Sequence, residues 1–265
     1  MSRSYVVAGG HRLEVERLAA RAEGLPTLVF LHDGLGSVSL WRDFPARIAA
    51  ATSCGAVVFS RYGHGRSDPL GEPRTVRYMH DEAEFSLARL LAQMDVPEAL
   101  LVGHSDGASI SLLHAASNPD RVSGLVLLAP HVFVEDVSIA GIRASRTAYL
   151  AGDLRRRLAK YHRDPDATFF GWNDIWLSAE FRSWNIEDVL SRIDCPVLVA
   201  QETNDPYGTL AQVAAIVAQV SGDVAELTIA GSGHAPHLDA PQQMTDAVAC
   251  FILRALAGRG QQRAQ

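Results

Sequence analysis

The sequence has little cysteine, little lysine and no long apolar run. Its three cysteines, Cys54, Cys195 and Cys250, are odd in number and far apart, so they form neither a disulfide framework nor a paired metal-binding motif. Lysine occurs once, at Lys160, which we interpret as a composition bias without functional content. No apolar run approaches the ~20 residues that cross a bilayer, and the first residues turn polar too early for a secretory signal. We therefore expect a cytoplasmic protein without a membrane partner.

Positive charge is also scarce. Lys and Arg number 24 against 30 Asp and Glu, and the net charge of −6 argues against the basic face that DNA or RNA binding requires. Hydrophobic residues make up 48% and charged residues 20%, as in ordinary globular proteins, which excludes a disordered chain. The 265 residues suit one large α/β domain or two small ones. The sequence leaves a homodimer open.

Apolar runs and helical patterns alternate along the chain. Residues 5–8 and 11–18 indicate an N-terminal hairpin. Continuous apolar runs, typical of strands covered on both faces, occur at 27–32, 56–60, 99–103, 124–129, 194–201 and 226–230. Helical periodicity separates most of them, at 41–51, 81–93, 106–116, 209–220 and 241–257. This order predicts an α/β fold with a mostly parallel, twisted sheet and helices on both faces.

The segment after the sixth strand breaks this alternation. It has a helical pattern at 142–161 and many aromatic residues, including three of the four tryptophans. We predict a helical cap at residues 131–189 that acts as a lid, a core at 1–130 and 190–258, and a disordered tail at 259–265. The candidate walls of a substrate pocket are His131, Phe133, Trp172, Trp176 and Trp184.

The motif Gly103-His104-Ser105-Asp106-Gly107 lies between a predicted buried strand and a predicted helix. A sharp strand-to-helix turn with small residues on both sides would lift the Ser105 hydroxyl above the sheet edge. The amides that follow would open the helix and favour a nearby anion. We therefore predict that Ser105 is a nucleophile, and that His104 packs away from it.

A serine nucleophile needs a base, and the base needs a carboxylate that orients it. His234 follows a predicted strand within a glycine-rich turn, at the sheet edge where open α/β folds place their sites, so we predict that it is the base. His237 is the alternative. The acid is expected in the loop after strand 194–201, where Asp205 is the first choice and Glu202, otherwise a solvated loop charge, is the second.

Acyl transfer also needs donors for a negatively charged oxygen. The backbone amides of Gly34 and Asp106 are the first candidates, and the Leu35 amide is next. The side chains of Asp33 and Asp106 would oppose this charge, so each is expected to point away or to be paired. We expect His32 to brace the loop rather than to transfer protons.

A serine, an acid and a histidine in this chain order, with an insertion between the sixth and seventh strands, resemble the α/β-hydrolase superfamily. Residues 32–37 and 60–68 match its patterns too, although Ser60 stands where the superfamily usually has an acidic residue. The similarity extends roughly from Thr27 to Leu256. It implies a serine hydrolase with a nucleophile elbow, a catalytic triad, an oxyanion hole and a cap.

The nucleophile type limits the chemistry that this resemblance implies. Serine at 105 differs from the aspartate of the related dehalogenases and epoxide hydrolases, which leaves attack on an activated acyl carbon of an ester, lactone, enol-lactone or thioester, through an acyl-enzyme and without a metal or organic cofactor. The aromatic-rich insertion suits a small apolar or aromatic acyl substrate, so small esters, lactones or enol-lactones are expected. Alternatives are a thioesterase using Arg143, Arg146 and residues 155–157, a C–C bond hydrolase despite Ala235 after the histidine, a cofactor-independent oxygenase and a non-catalytic sensor.

Overall fold

One sheet of eight strands forms the centre of the computed structural model, which describes residues 3–231 and 233–263. The strand order is β1-β2-β4-β3-β5-β6-β7-β8. β1 and β2 pair antiparallel, β2 pairs antiparallel with β4, and all other neighbours are parallel. The strands are β1 (Arg3–Ala8), β2 (His11–Leu18), β3 (Thr27–Leu31), β4 (Ala56–Phe59), β5 (Ala99–His104), β6 (Val122–Leu128), β7 (Val197–Glu202) and β8 (Val224–Ile229).

Helices cover both faces of this sheet. Alternate residues of β3 enter different apolar clusters, with Val29 and Leu31 on one face and Leu28 and Phe30 on the other, because successive side chains of a strand point to opposite sides. The mostly parallel α/β fold predicted from the sequence is confirmed. The helices are α1 (Phe44–Thr52), α2 (Tyr78–Asp81), α3 (Ala88–Gln93), α4 (Asp106–Ser117), α5 (Asp136–Leu150), α6 (Asp153–Leu158), α7 (Pro165–Trp176), α8 (Leu210–Gln219), α9 (Pro236–Asp239) and α10 (Pro241–Arg263).

Three of these helices, α5 to α7, lie between β6 and β7, in the segment where the sequence predicts a helical cap. The pattern at 142–161 is not one helix, because α5 ends before Gly152, whose φ of 94° lies in the left-handed region, and α6 begins after it. The segment also contains an isolated bridge between Phe133 and Asn185.

The C-terminal end of the chain differs from the prediction. Helix α10 runs to Arg263, so residues 259–263 are helical where the sequence predicts a disordered tail, and residues 264–265 lie outside the described part. Extending a helix that is already formed needs no new nucleus, so the last residues can continue it at little cost. Within residues 3–231 and 233–263, no helix combines the length and apolar character that a bilayer crossing requires.

Candidate active site

Ser105 occupies the sharp turn between β5 and α4. Its backbone has φ 53° and ψ −119°, a strained conformation for a residue with a side chain, and its N–H donates to the Leu128 carbonyl at 2.9 Å. The flanking glycines are required because no side chain fits at either position. A β-carbon on Gly103 would overlap the backbone at the start of α4, and one on Gly107 would overlap the Leu31 carbonyl. The turn therefore has the geometry expected of a nucleophile elbow.

His234 and Asp205 come together from the loops after β8 and β7. The His234 Nδ1 lies 2.9 and 2.8 Å from the two carboxylate oxygens of Asp205. The same carboxylate accepts the Tyr207 N–H at 2.8 Å and the Gln201 side-chain amide at 3.0 Å. Burial opposes ionisation of Asp205, but the hydrogen bond and charge of His234 and the Tyr207 amide outweigh it and lower its pKa. The acid is thus held ionised against the imidazole.

Ser105 and His234 line the same cavity. No hydrogen bond joins the two side chains in the described part of the chain. The structure therefore forms the acid–histidine pair of the expected triad and places Ser105 at the same cavity as the histidine. Because Asp205 holds Nδ1, Nε2 is the nitrogen left to accept the serine proton. Contacts of this kind commonly close only when a substrate is bound.

The loop after β3 presents Gly34 and Leu35 to the cavity, opposite Asp106. Two of its carbonyl oxygens have partners: the Arg61 guanidinium donates to the Asp33 oxygen at 2.9 Å, and the His162 Nε2 lies 3.0 Å from the Leu35 oxygen. The Leu35 N–H donates to the Asp33 carboxylate at 3.4 Å, which leaves the Gly34 N–H as the candidate donor of this loop.

The two aspartates near these amides differ in their partners: Asp106 is paired, whereas Asp33 lines the cavity and faces a histidine whose pKa burial lowers. The Asp106 carboxylate accepts the Tyr78 hydroxyl at 2.7 Å and lies 3.8 Å from the Arg61 guanidinium. Burial raises the pKa of Asp106, and the Arg61 charge opposes that shift. Asp33 lies 3.7 Å from the His104 ring. The expected pairing of Asp106 is therefore found, and the Asp33 carboxylate is directed toward His104.

Only part of the predicted pocket wall lines the cavity. Trp172, Trp176 and His131 do, whereas Phe133 and Trp184 do not. Phe133 contributes to the bridge with Asn185, and Trp184 stacks on another aromatic residue of the insertion, so both hold the insertion together instead. The lining residues that sequence reasoning did not assign as walls are Asp33, Leu35, Ser138, Ile142 and Tyr207. Of these five, Tyr207 could have been predicted from the sequence, because it lies two residues after the candidate acid Asp205.

The alternative site residues have structural positions. Glu202 is buried, not solvated as the sequence suggested, and accepts the N–H groups of Asn204 at 2.6 Å and Gly231 at 3.1 Å. His237 packs between aromatic rings outside the cavity. The His104 Nε2 lies 2.7 Å from the His234 carbonyl oxygen and so donates to it. Among the described residues, no three His, Cys, Asp or Glu are grouped to hold a metal ion.

Comparison with known proteins agrees with the fold. The non-heme chloroperoxidase of Streptomyces lividans is 26% identical over 260 residues, 87% of this chain and 92% of that protein. The monoglyceride lipase homolog of Monkeypox virus is 27% identical over 202 residues, 67% of this chain and 70% of that protein. The crystal structure of the enol-lactonase from Burkholderia xenovorans shares the fold, with a TM-score of 0.74, 19% identity, and coverage of 94% of this chain and 99% of that one.

The model of the alpha/beta hydrolase family matches residues 28–247, a range that contains the serine, carboxylate and imidazole of the candidate site. Since this match takes in most of the chain and the sheet has the corresponding order, the chain belongs to the alpha/beta hydrolase family and is an enzyme of the hydrolase type.

Proposed function

We propose that the chain hydrolyses small carboxylic esters, lactones or enol-lactones through an acyl-enzyme on Ser105. One observation carries this proposal: the Asp205–His234 pair faces the same cavity as a serine in strained elbow geometry. A hydroxyl becomes a useful nucleophile only beside a base, and a base oriented by a carboxylate is the arrangement that acyl transfer needs.

The reaction has two halves. His234 takes the hydroxyl proton while the Ser105 oxygen bonds to the carbonyl carbon, and the displaced electron pair moves onto the carbonyl oxygen, facing the amides of Gly34 and Asp106. The carbonyl then re-forms, the bond to the leaving oxygen breaks, and that oxygen receives the proton from His234. Water, deprotonated by His234, attacks the acyl-enzyme and releases the carboxylic acid and the free serine.

The insertion between β6 and β7 is proposed to act as the lid. Helix α7 contributes Trp172 and Trp176 to the cavity wall, and α5 contributes Ile142, so these helices cover the reacting atoms. A lid of this kind excludes bulk water during acyl transfer. The names of two relatives, a lipase homolog and an enol-lactonase, fit hydrolysis of an acyl–oxygen bond.

A thioester of a large anionic carrier is a weaker candidate. Such a substrate would need free positive charge at the cavity mouth, which the arginines of the insertion were candidates to supply. Arg146 pairs with Asp174 at 2.7 Å, Arg155 pairs with Asp166 at 2.5 Å, and a third arginine also faces an aspartate. Three of the five candidate arginines are therefore paired with aspartates of the insertion.

The proposal is tested by replacing the nucleophile. Ser105→Ala should reduce turnover of p-nitrophenyl acetate by at least about 1,000-fold, because no other group can form the acyl-enzyme, while the circular dichroism spectrum stays unchanged. A fluorophosphonate probe should label the native chain and not this variant. Ser117→Ala, which changes an exposed serine at the end of the same helix, is the control and should keep full activity. More than a tenth of the native rate in Ser105→Ala would contradict the proposal.

A further inference from the structure

We propose that the cavity beside Ser105 admits only short acyl groups, of about two or three carbons, and that Trp172 sets this limit. This inference rests on the proposed function and narrows it to esters of short acids, because the acyl-enzyme formed from a lactone or enol-lactone would keep the whole opened ring in the cavity. It differs from the sequence expectation, which left aromatic acyl groups open.

The size of the cavity carries the first step. Its volume is about 60 Å³. A cavity of about 150 Å³ in a protein core accommodates benzene, six carbons, so in proportion the present one holds about two or three carbons. An acetyl or propionyl group fits such a space, whereas a fatty acyl chain or an aryl group does not.

The second step is which part of the substrate the cavity holds. The carbonyl carbon has to lie where Ser105, Gly34 and Asp106 meet, and all three line this cavity. The alcohol leaves after the first half-reaction, but the acyl group stays bonded to Ser105 until water attacks. The enclosed space must therefore house the acyl group, and the alcohol needs only a route out.

Trp176 is the fixed wall. Its side chain is buried, its indole N–H donates to the Tyr78 hydroxyl at 2.9 Å, and that hydroxyl donates to the buried Asp106 carboxylate. The ring also contacts His131, with centroids 5.2 Å apart. Moving this tryptophan would leave its buried indole N–H without a partner and would remove a donor from the Tyr78 hydroxyl, which is costly.

Trp172 is the wall that limits length. Its indole lies directly against the loop that carries the candidate oxyanion donor, so closely that a β-carbon on Gly34 would overlap its Cδ1 and Nε1. Among the described residues this indole makes no hydrogen bond, and packing alone holds it, including an edge contact with Phe169 at 6.1 Å. Removing this ring should open the cavity without disturbing the hydrogen bonds of Trp176.

The test compares kcat/KM for p-nitrophenyl acetate, propionate, butyrate, hexanoate and octanoate on the full chain. We expect a drop of about tenfold or more beyond propionate, because a longer chain overpacks the cavity. Acetate esters of ethanol, butanol and hexanol should differ much less. Trp172→Ala should raise the hexanoate-to-acetate ratio about tenfold or more. Phe170→Ala removes an aromatic ring of the same helix that does not line the cavity, and should leave the ratio unchanged.

The outcomes separate this inference from the proposed function. Equal rates for acetate and octanoate, with activity lost in Ser105→Ala, would overturn the length limit and leave the hydrolase proposal standing. A limit found on the alcohol series instead would overturn it too. If no ester is hydrolysed and Ser105 is not labelled, both proposals fail. Should Trp172→Ala not fold, Ile142→Ala shortens another wall and must move the same ratio in the same direction.

Discussion

At the scale of single residues, two buried carboxylates three positions apart have different partners. Asp205 faces His234, with Nδ1 at 2.8 Å from one oxygen. Glu202 instead ties its own loop to the loop that carries the histidine, by accepting N–H groups of Asn204 and Gly231. Each carboxylate is nearly inaccessible to water. Asp205 therefore stabilises the charged form of the imidazole, whereas Glu202 fixes the relative position of the two loops.

This difference predicts different losses of activity for two conservative changes. Asp205→Asn should lower kcat for p-nitrophenyl acetate by about 10⁴-fold, because the imidazole loses its charged partner and its correct tautomer, and should also lower the free energy of unfolding, because a buried acceptor is weakened. Glu202→Gln is its matched control, and should lower the free energy of unfolding by about 1–3 kcal/mol, because a buried acceptor is weakened, with a much smaller loss of kcat. Activity and urea unfolding measured on both variants decide the matter; equal kcat losses would contradict the assignment.

The sequence was informative where the signal is local. Ser105 and His234 each follow an apolar run and lie among glycines, and the structure brings both to one cavity. It was uninformative where the answer depends on which way a side chain faces. Phe133 and Trp184 are aromatic like Trp172, but they pack within the insertion instead of lining the cavity. The amino-acid composition does not show which of the aromatic side chains face the cavity.

At the scale of elements, helix α5 of the insertion packs directly on the loop that carries Asp205. The Ser138 hydroxyl donates to the Tyr207 carbonyl at 2.5 Å, and the Ser145 and Tyr207 hydroxyls are 2.7 Å apart. Between these two serines lies Gly141, where an added β-carbon would come within 2.5 Å of the Pro206 carbonyl oxygen. The close approach of α5 to this loop therefore requires a glycine.

Gly141→Ala should push α5 away from the loop. We expect kcat for p-nitrophenyl acetate to fall about tenfold or more, since small displacements of a catalytic group are costly, and the melting temperature to fall as well. Gly171→Ala in α7 is the matched control: its β-carbon would meet only the end of the flexible Leu70 side chain. That variant should keep its activity and gain helix propensity. A Gly141→Ala enzyme as active and stable as the native one would show that the contact is not needed.

Element types were easier to predict than element ends. Every apolar run assigned to the sheet forms a strand. A strand that is covered on both faces is apolar along its whole length, so it can be recognised without knowing which strands pair with it. The stretch 81–93 is less regular than its periodicity suggests, since a π-helical turn at Glu82–Leu87 separates α2 from α3. A π-helical turn shifts the apolar face by about one residue, which is too small a change for a pattern of this length to reveal.

At the scale of the whole molecule, buried histidines surround the site. Burial lowers the pKa of His131 to about 3. Burial, with the nearby Arg61 charge, also holds the pKa values of His32 and His64 well below the ordinary range. His237 is shifted the same way by burial among aromatic rings. The fold thus keeps several imidazoles neutral at a pH where the unfolded chain would protonate them.

This difference between the folded and unfolded pKa values of the histidines predicts a loss of stability in mild acid. Below about pH 6.5 these histidines are protonated in the unfolded chain but not in the folded chain. The free energy of unfolding should therefore decrease as the pH falls, by up to about 1.4 kcal/mol per pH unit for each such histidine. For His131 the window ends near its folded pKa of about 3. Urea unfolding between about pH 7 and pH 5 measures the slope.

His131→Gln isolates the contribution of one histidine. It should reduce the slope of the free energy of unfolding against pH by up to about 1.4 kcal/mol per pH unit, independently of how it changes the stability at pH 7. Ser123→Ala is the control, because it removes a buried hydroxyl that donates to the Ala99 carbonyl at 3.1 Å but does not titrate in this range. It should lower the free energy of unfolding by the same amount at every pH. Parallel stability curves for His131→Gln and the native chain would mean that burial of this imidazole does not resist protonation, and that acid sensitivity has another origin.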